Sequence, residues 1–188
     1  MEKNTQVIYA RGTVEFTTVA AEFCAFLERS EGMKRQVFVD TLLKVLPLLY
    51  LKALLLPEAE RQSDDEPETF VGETDYEVLR LTMADVMGEK DDYLEVFMPD
   101  MQYSDTPIRA SVAEGLADIY QDVKDFVSVY RLGFDATMHE ALARCREHFE
   151  SYWGQKLVNT LRALHDVRYN SNPDEEDESS ENEWGDAL

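Results

Sequence analysis

The fold is decided by two stretches that meet at one short break, TPIRASVAEGLADIYQDVKDFVSVYRLG (residues 106–133) and DATMHEALARCREHFESYWGQKLVNTLRALHDVRY (residues 135–169). Apolar residues recur at helical spacing in both, and in the first they lie opposite a row of carboxylates. Thr106 and Pro107 are suited to start the first helix, and Gly133 is suited to end it. Because the connection is so short, the two helices should be antiparallel neighbours.

Three further helices are predicted on the N-terminal side of this pair. Apolar spacing indicates one over residues 13–29 and one over residues 33–56, with either a kink or two abutting helices at the internal Pro47. Thr74 opens the next helix, because Thr74 and Glu77 match a capping box. A short helix and then an ordered loop are expected over residues 91–105. The sequence therefore predicts an all-α antiparallel bundle of five to six helices.

One domain is expected over residues 1–169, with residues 57–77 as an acidic linker on its surface. A chain of 188 residues can bury a core without a metal or a disulfide to hold it. Cys24 and Cys145 fall inside apolar helical patterns and are interpreted as buried, reduced thiols. Residues 170–188 contain eight acids and no base, and we expect this tail to be disordered.

Charge limits the range of partners. The chain has 39 acids and 18 bases, a net charge of −21, and without the eight acids of the tail the charge is still −13. Direct binding to nucleic acid needs cationic groups, so it is excluded, and anionic membranes should repel the chain. The most hydrophobic stretch, residues 42–56, is interrupted by charge and shorter than the roughly 20 apolar residues of a membrane span. The first residues lack the basic start and apolar run of a signal peptide, so none is expected. A cytoplasmic protein is expected.

Four blocks of sequence follow one another along the chain: LPLLYLKALLLP (residues 46–57), PDMQYSD (99–105), LADIYQDVKDF (116–126) and HFESYWGQKLVNTLRALH (148–165). Together they resemble a bacterial family known only as a domain of unknown function, number 5063. The resemblance covers residues 16–169 and leaves out the acidic tail. It implies a cytoplasmic all-α domain, and it brings with it no activity, cofactor or catalytic residue.

The carboxylate row of the first stretch is the sharpest candidate site. It consists of Glu114, Asp118, Asp122 and Asp125, whose spacing of four, four and three residues places them on one helix face. The favoured interpretation is a solvated face, because the apolar residues lie opposite. The alternative is a Mg²⁺ or Mn²⁺ site, since hard cations prefer oxygen ligands, and His165 could meet Asp118 or Asp122 there. No other cofactor is predicted.

Three aromatic residues are candidates for binding. Trp153 precedes a glycine within a helix, where it either packs against a close helix crossing or lines a ligand slot. Tyr103 lies among acids in the irregular stretch and either contacts a cationic or sugar-like ligand or covers one end of the bundle. Trp184, in the acidic tail, is either part of a short binding motif or a residue of a solubilising tail.

Motifs for nucleophilic catalysis, phosphate binding and zinc proteases are missing from the sequence. The sequence therefore favours a non-enzymatic interaction or regulatory module that binds a protein partner with a basic surface. One alternative is a divalent-metal-dependent hydrolase that uses the helix carboxylates. A second is an acidic mimic of nucleic acid. The identity of the partner and the oligomeric state stay open.

Overall fold

The computed structural model describes residues 6–63, 68–95 and 108–170. Six long α-helices and one two-stranded sheet form in this part of the chain, and they confirm the all-α prediction. The helices are α1 Arg11–Leu27, α2 Arg35–Leu54, α3 Glu73–Met87, α4 Val112–Leu132, α5 Asp135–His148 and α6 Gly154–Tyr169. The strands are β1 Asp92–Glu95 and β2 Ile108–Ser111. A 3₁₀ turn, Gly88–Lys90, precedes β1, and a π-helical turn, Phe149–Trp153, joins α5 to α6.

Helix α4 lies at the centre of the bundle. It packs against α1, α3, α5 and α6, while α2 packs mainly against α1 and α6. Helix α2 also touches α3 at one end, where the Arg35 guanidinium donates to the carbonyl of Met87 at 3.1 Å. About half of the residues of α4 are buried, because its apolar positions recur over a wide face. Phe126 projects from this face against Phe16 of α1, and Phe16 in turn stacks on Trp153, with ring centroids 5.4 and 6.4 Å apart. These rings form the middle of the core.

The close crossing of α4 and α6 depends on Gly115. A Cβ atom at this position would overlap the hydroxyl of Thr160, which is fully buried on α6. Two helix backbones can approach closely where one of them carries no side chain. The crossing brings the polar residues of α4 within reach of those near the start of α6.

Helix α4 begins later than the sequence suggests. Its N-cap is Ser111, whose hydroxyl accepts the N–H of Glu114 at 3.1 Å, and the carboxylate of Asp91 accepts the N–H of Ala113 at 2.8 Å. The predicted start at residues 106–107 is wrong, because residues 108–111 pair with β1 as a strand. The predicted end is confirmed, since Gly133 has a left-handed conformation with φ of 76°.

Residues 92–95 form a strand where a short helix was predicted. The antiparallel register pairs Asp92 with Ser111 and Glu95 with Ile108. Side-chain exposure alternates along β1, the period-2 pattern of a strand. The rest of the predicted loop, at residues 96–107, and the predicted disorder of residues 171–188 lie outside the described residues.

Other boundaries also differ from the predictions. Helix α3 has Gly72 as its N-cap, and the Asp75 carboxylate accepts the N–H of Gly72 at 3.4 Å, so the capping box predicted at Thr74 is wrong. Helix α2 continues through Pro47 without a break. The long helix predicted from residue 135 is interrupted by the π-helical turn. None of the helices in the three described ranges is long and apolar enough to cross a membrane.

Candidate functional site

The carboxylate row of α4 faces two neighbouring parts of the bundle, the start of α3 and the junction between α5 and α6. Tyr76 of α3 donates its hydroxyl hydrogen to Oδ1 of Asp118 at 2.8 Å. Lys156 of α6 places its Nζ 3.1 Å from Oδ2 of the same carboxylate. The Asp118 side chain is only 12% exposed, so both partners replace water around a largely buried charge.

Asp122, one turn further along α4, meets the last residue of α5. Its Oδ1 lies 2.7 Å from Nδ1 of His148, and the Asp122 side chain is 15% exposed. Burial raises the pKa of Asp122 above its ordinary value, and the hydrogen bond with His148 opposes that shift. The pair ties the C-terminal end of α5 to the middle of α4.

Asp125 binds backbone rather than side chains. Its Oδ1 accepts the N–H of Phe70 at 2.6 Å and the N–H of Val71 at 3.0 Å, so it holds the segment before α3 against α4. Burial raises the pKa of Asp125, while the two backbone hydrogen bonds lower it. A cavity of about 20 Å³ lies beside Asp122, Asp125 and Arg144. This is room for about one water molecule.

Three tyrosines surround the upper part of the row. Burial raises the pKa of Tyr93 to about 12. Burial also raises the pKa values of Tyr76 and Tyr152, and hydrogen bonding to the Asp118 carboxylate raises both further. A carboxylate stabilises the protonated phenol because the phenol donates to it. These phenols therefore stay protonated at neutral pH, and they are unsuited to act as general bases.

The interpretation of the row as a solvated face is wrong for Asp118, Asp122 and Asp125. The segment before α3, Tyr76 of α3 and the α5–α6 junction cover them. Glu114 fits that interpretation, since its side chain is exposed at the start of α4. The geometry makes the row a set of structural hydrogen bonds and ion pairs that fasten α3, α5 and α6 to α4.

A metal ion at the row would have to displace groups that already bind the carboxylates, namely Lys156 at Asp118 and His148 at Asp122. Across residues 6–63, 68–95 and 108–170, no three His, Cys, Asp or Glu side chains converge as metal ligands would. His165 lies elsewhere, with its ring centroid 4.7 Å from that of Tyr169. The expected meeting of His165 with Asp118 or Asp122 is therefore wrong, and His148 occupies that place.

Trp153 is fully buried in the π-helical turn. Its indole N–H donates to the carbonyl of Cys145 at 3.0 Å, and its ring lies 4.7 Å from that of Phe149. A Cβ atom on Gly154 would lie 2.5 Å from the Phe149 carbonyl oxygen, so the glycine is required by the turn that places the indole in the core. The other two aromatic candidates, Tyr103 and Trp184, lie outside the described residues.

Charge is distributed unevenly over the surface. Residues 68–95, which include α3 and β1, contain nine acids and two bases, a net charge of −7. Helices α2 and α6 each contain three bases and one acid, a net charge of +2 each. Since α2 and α6 pack against each other, by formal charge they form the cationic side of a bundle whose chain has a total charge of −21. Three of their six bases are ion-paired with carboxylates: Lys52 with Glu15, Arg168 with Asp40, and Lys156 with Asp118.

The outer face of α3 combines acidic and apolar groups. Val78 is 60% exposed and Leu81 is 56% exposed, and their spacing of three residues makes them neighbours on the helix surface. Glu77 and Asp85 are exposed beside them, and Glu77 is ion-paired with Arg80, whose Nη2 is 2.9 Å from Oε2 of Glu77. The opposite face of α3 is buried against α4. We call this surface, from Glu77 to Asp85, the α3 face.

Comparison with known proteins places these features in a family. The sequence profile of a family described as a domain of unknown function (DUF5063) matches residues 7–170. The chain is similar to the crystal structure of protein BF1032 from Bacteroides fragilis, a target of the Northeast Structural Genomics Consortium, with 55% identity and a TM-score of 0.80. That similarity covers 89% of this chain and 99% of the other. No curated protein matches the chain.

Proposed function

Because the chain belongs to the DUF5063 family of domains of unknown function, we infer its role from its surfaces: it is a non-enzymatic module that binds a basic, amphipathic segment of a partner protein on the α3 face. The observation that carries this proposal is the exposure of Val78 and Leu81 within the most acidic part of the described chain. An apolar pair with exposed carboxylates beside it complements a helix with apolar residues on one side and lysine or arginine beside them.

The two kinds of group have different roles in binding. Burial of Val78 and Leu81 supplies affinity, about 25 cal/mol for each Å² of apolar surface removed from water. The surrounding charge of −7 attracts a basic segment from a distance and orients it on arrival. Because that attraction acts through solvent, salt should weaken it.

The carboxylate row supports a structural role for the centre of the molecule. Asp118 and Asp122 each have a side-chain partner of opposite or complementary charge, and the nearby phenols are donors. This arrangement does not support the hypothesis of a metal-dependent hydrolase. The buried thiols, Cys24 and Cys145, suit a reducing compartment, so we place the module in the cytoplasm.

The proposal can be tested by calorimetric titration with a synthetic helical peptide built from alternating pairs of lysine and leucine. The peptide should bind at about 50 mM salt and bind much more weakly at about 500 mM salt. The variant Val78→Ser/Leu81→Ser should lose most of the binding. The matched control is Leu48→Ser/Leu51→Ser, which removes two exposed apolar residues from the cationic side and should leave binding unchanged.

A second peptide, with glutamate in place of lysine, checks the sign of the charge and should not bind to the α3 face. Equal losses in the two double variants would show that the peptide binds any exposed apolar residue. No binding of the lysine peptide at low salt would contradict the proposal.

A further inference from the structure

Helices α2 and α6 lie side by side and antiparallel, and they form a surface separate from the α3 face. At one end, Nε of Arg168 lies 2.6 Å from Oδ1 of Asp40. At the other end, the Tyr50 ring packs edge-on against Phe149, with centroids 5.1 Å apart. Between these contacts the two helices leave an open groove, because their facing side chains do not fill the space.

The groove is apolar. Its floor and walls enclose about 540 Å³ and are formed by Leu43, Pro47, Leu161, His165 and Tyr169. Large exposed apolar side chains extend this surface along both helices, with exposed fractions of 42, 49, 58 and 43% for Leu48, Leu51, Leu54 and Val158 respectively. Contiguous exposed apolar surface of this kind marks a binding site on a soluble protein. We call this surface the α2–α6 groove.

The rim of the groove is cationic. Lys44 and Arg162 are exposed, and neither has an ion-pair partner among the described residues. His165 lines both this groove and a neighbouring one, where Arg162 and Asp166 also lie. On the described rim, Lys44 and Arg162 are therefore the cations available to a ligand. Unpaired cations beside apolar side chains complement a ligand that carries carboxylates and apolar groups together.

We propose that the α2–α6 groove binds the chain's own C-terminal segment, residues 171–188. This segment has the complementary composition, since it contains eight acids, no base and the apolar residues Trp184 and Leu188. It also starts at the right place. Tyr169 lines the groove, and the segment begins two residues later.

The segment is long enough to reach every part of the groove. Trp184 is 14 residues beyond Asn170, and an extended chain covers about 3.4 Å per residue, so its reach is about 48 Å. The groove follows α2 from Leu43 to Leu54, a distance of about 17 Å at 1.5 Å per residue. Because the segment is covalently tethered beside the groove, its effective concentration there is in the millimolar range, so weak contacts are sufficient.

The proposal concerns a different surface from the α3 face. A basic partner would be attracted to α3 and repelled by Lys44 and Arg162, whereas an acidic segment would be repelled by α3. Opposite charges on the two sides therefore direct the two ligands to different places. Docking of the segment would cover the leucines of α2 and prevent them from associating with other molecules.

Methyl NMR of the full chain, labelled at leucine and valine, tests the proposal. Comparison of the natural sequence with Trp184→Ala should show shifts in the methyl signals of Leu48, Leu51, Leu54 and Val158. The methyl signals of Val78 and Leu81 should not move. These shifts should be the same over a tenfold range of protein concentration, because the contact is within one molecule.

A charge-reversal variant, Lys44→Glu/Arg162→Glu, should reproduce the effect of Trp184→Ala on the groove methyls. Its matched control, Arg29→Glu/Arg131→Glu, makes the same change of charge on exposed residues elsewhere and should not. Unmoved groove methyls in Trp184→Ala would overturn the proposal. Shifts that depend on protein concentration would also overturn it, since they would identify a second copy of the chain as the occupant.

Discussion

Replacement of Asp118 by asparagine tests whether the carboxylate row is a structural element of the bundle. Asparagine has nearly the same shape and keeps an oxygen that can accept the Tyr76 hydroxyl. It removes the charge that faces Lys156, whose Nζ is 3.1 Å away. The variant therefore isolates the ion pair from the hydrogen bond.

The expected loss of stability follows from the burial of the two partners. Hydrogen bonds to charged groups contribute about 1.5–3 kcal/mol, but Lys156 is 29% exposed and solvent weakens the pair, so we expect about 1–2 kcal/mol. For a chain of this size, that loss lowers the melting temperature by about 2–8 °C. Equilibrium unfolding in urea measures the free energy, and a thermal melt measures the shift in temperature.

Two controls define the origin of the effect. Glu114→Gln makes the same chemical change at an exposed position of the same row and should alter stability by less than about 0.5 kcal/mol. A double-mutant cycle with Lys156→Met should give a coupling energy of about 1 kcal/mol. If Asp118→Asn costs no more than Glu114→Gln, or if the cycle shows no coupling, the row is a solvated face and our account of it is wrong.

Three further predictions concern the core and its buried groups. Burial raises the pKa of Asp125 in the folded chain, so its contribution to stability is greatest when it is protonated and is lost as pH rises. The free energy of unfolding of Asp125→Asn, measured in urea, should therefore rise relative to that of the natural chain between acid and neutral pH. A rise of this relative stability on acidification would contradict the prediction. Gly154→Ala should destabilise the chain by about 1–3 kcal/mol because the new methyl group overlaps Phe149. In a regular helix the same change would stabilise the chain by about 1 kcal/mol. A gain in the free energy of unfolding in urea would therefore contradict the role of Gly154 in the π-helical turn. Burial raises the pKa values of both thiols, that of Cys24 to about 12. A thiol reagent at mildly alkaline pH should therefore label neither Cys24 nor Cys145 until the chain unfolds. Rapid labelling of the native chain would contradict this, because it would place the thiols at the surface.

Local sequence patterns were sufficient to predict the helices and several of their ends. Gly133 ends α4 as expected because its left-handed conformation is easily adopted only by glycine. The strand at residues 92–95 was missed because its partner lies at residues 108–111, and pairing across that distance leaves little trace in either segment. For the same reason, the start of α4 was placed at Pro107 and not at Val112.

The site was only partly predictable, since helical spacing identifies a shared face and does not show what covers it. The row on α4 was found correctly, but its solvation depends on residues far away in the chain, such as Tyr76 and Lys156. His148 had a signal that could have been used. Asp122 lies 11 residues before Gly133 and His148 lies 15 residues after it, within about one helical turn of matching positions, and the two meet when the helices fold back.

The central claim is that the α3 face and the α2–α6 groove carry opposite charge and select different ligands. Its most direct test is a map of where a basic peptide binds. Methyl NMR of the full chain during titration with the lysine–leucine peptide would provide it. We predict that the signals of Val78 and Leu81 shift while those of Leu48, Leu51 and Leu54 do not. Shifts in the leucines of α2, or equal shifts on both sides, would contradict the account.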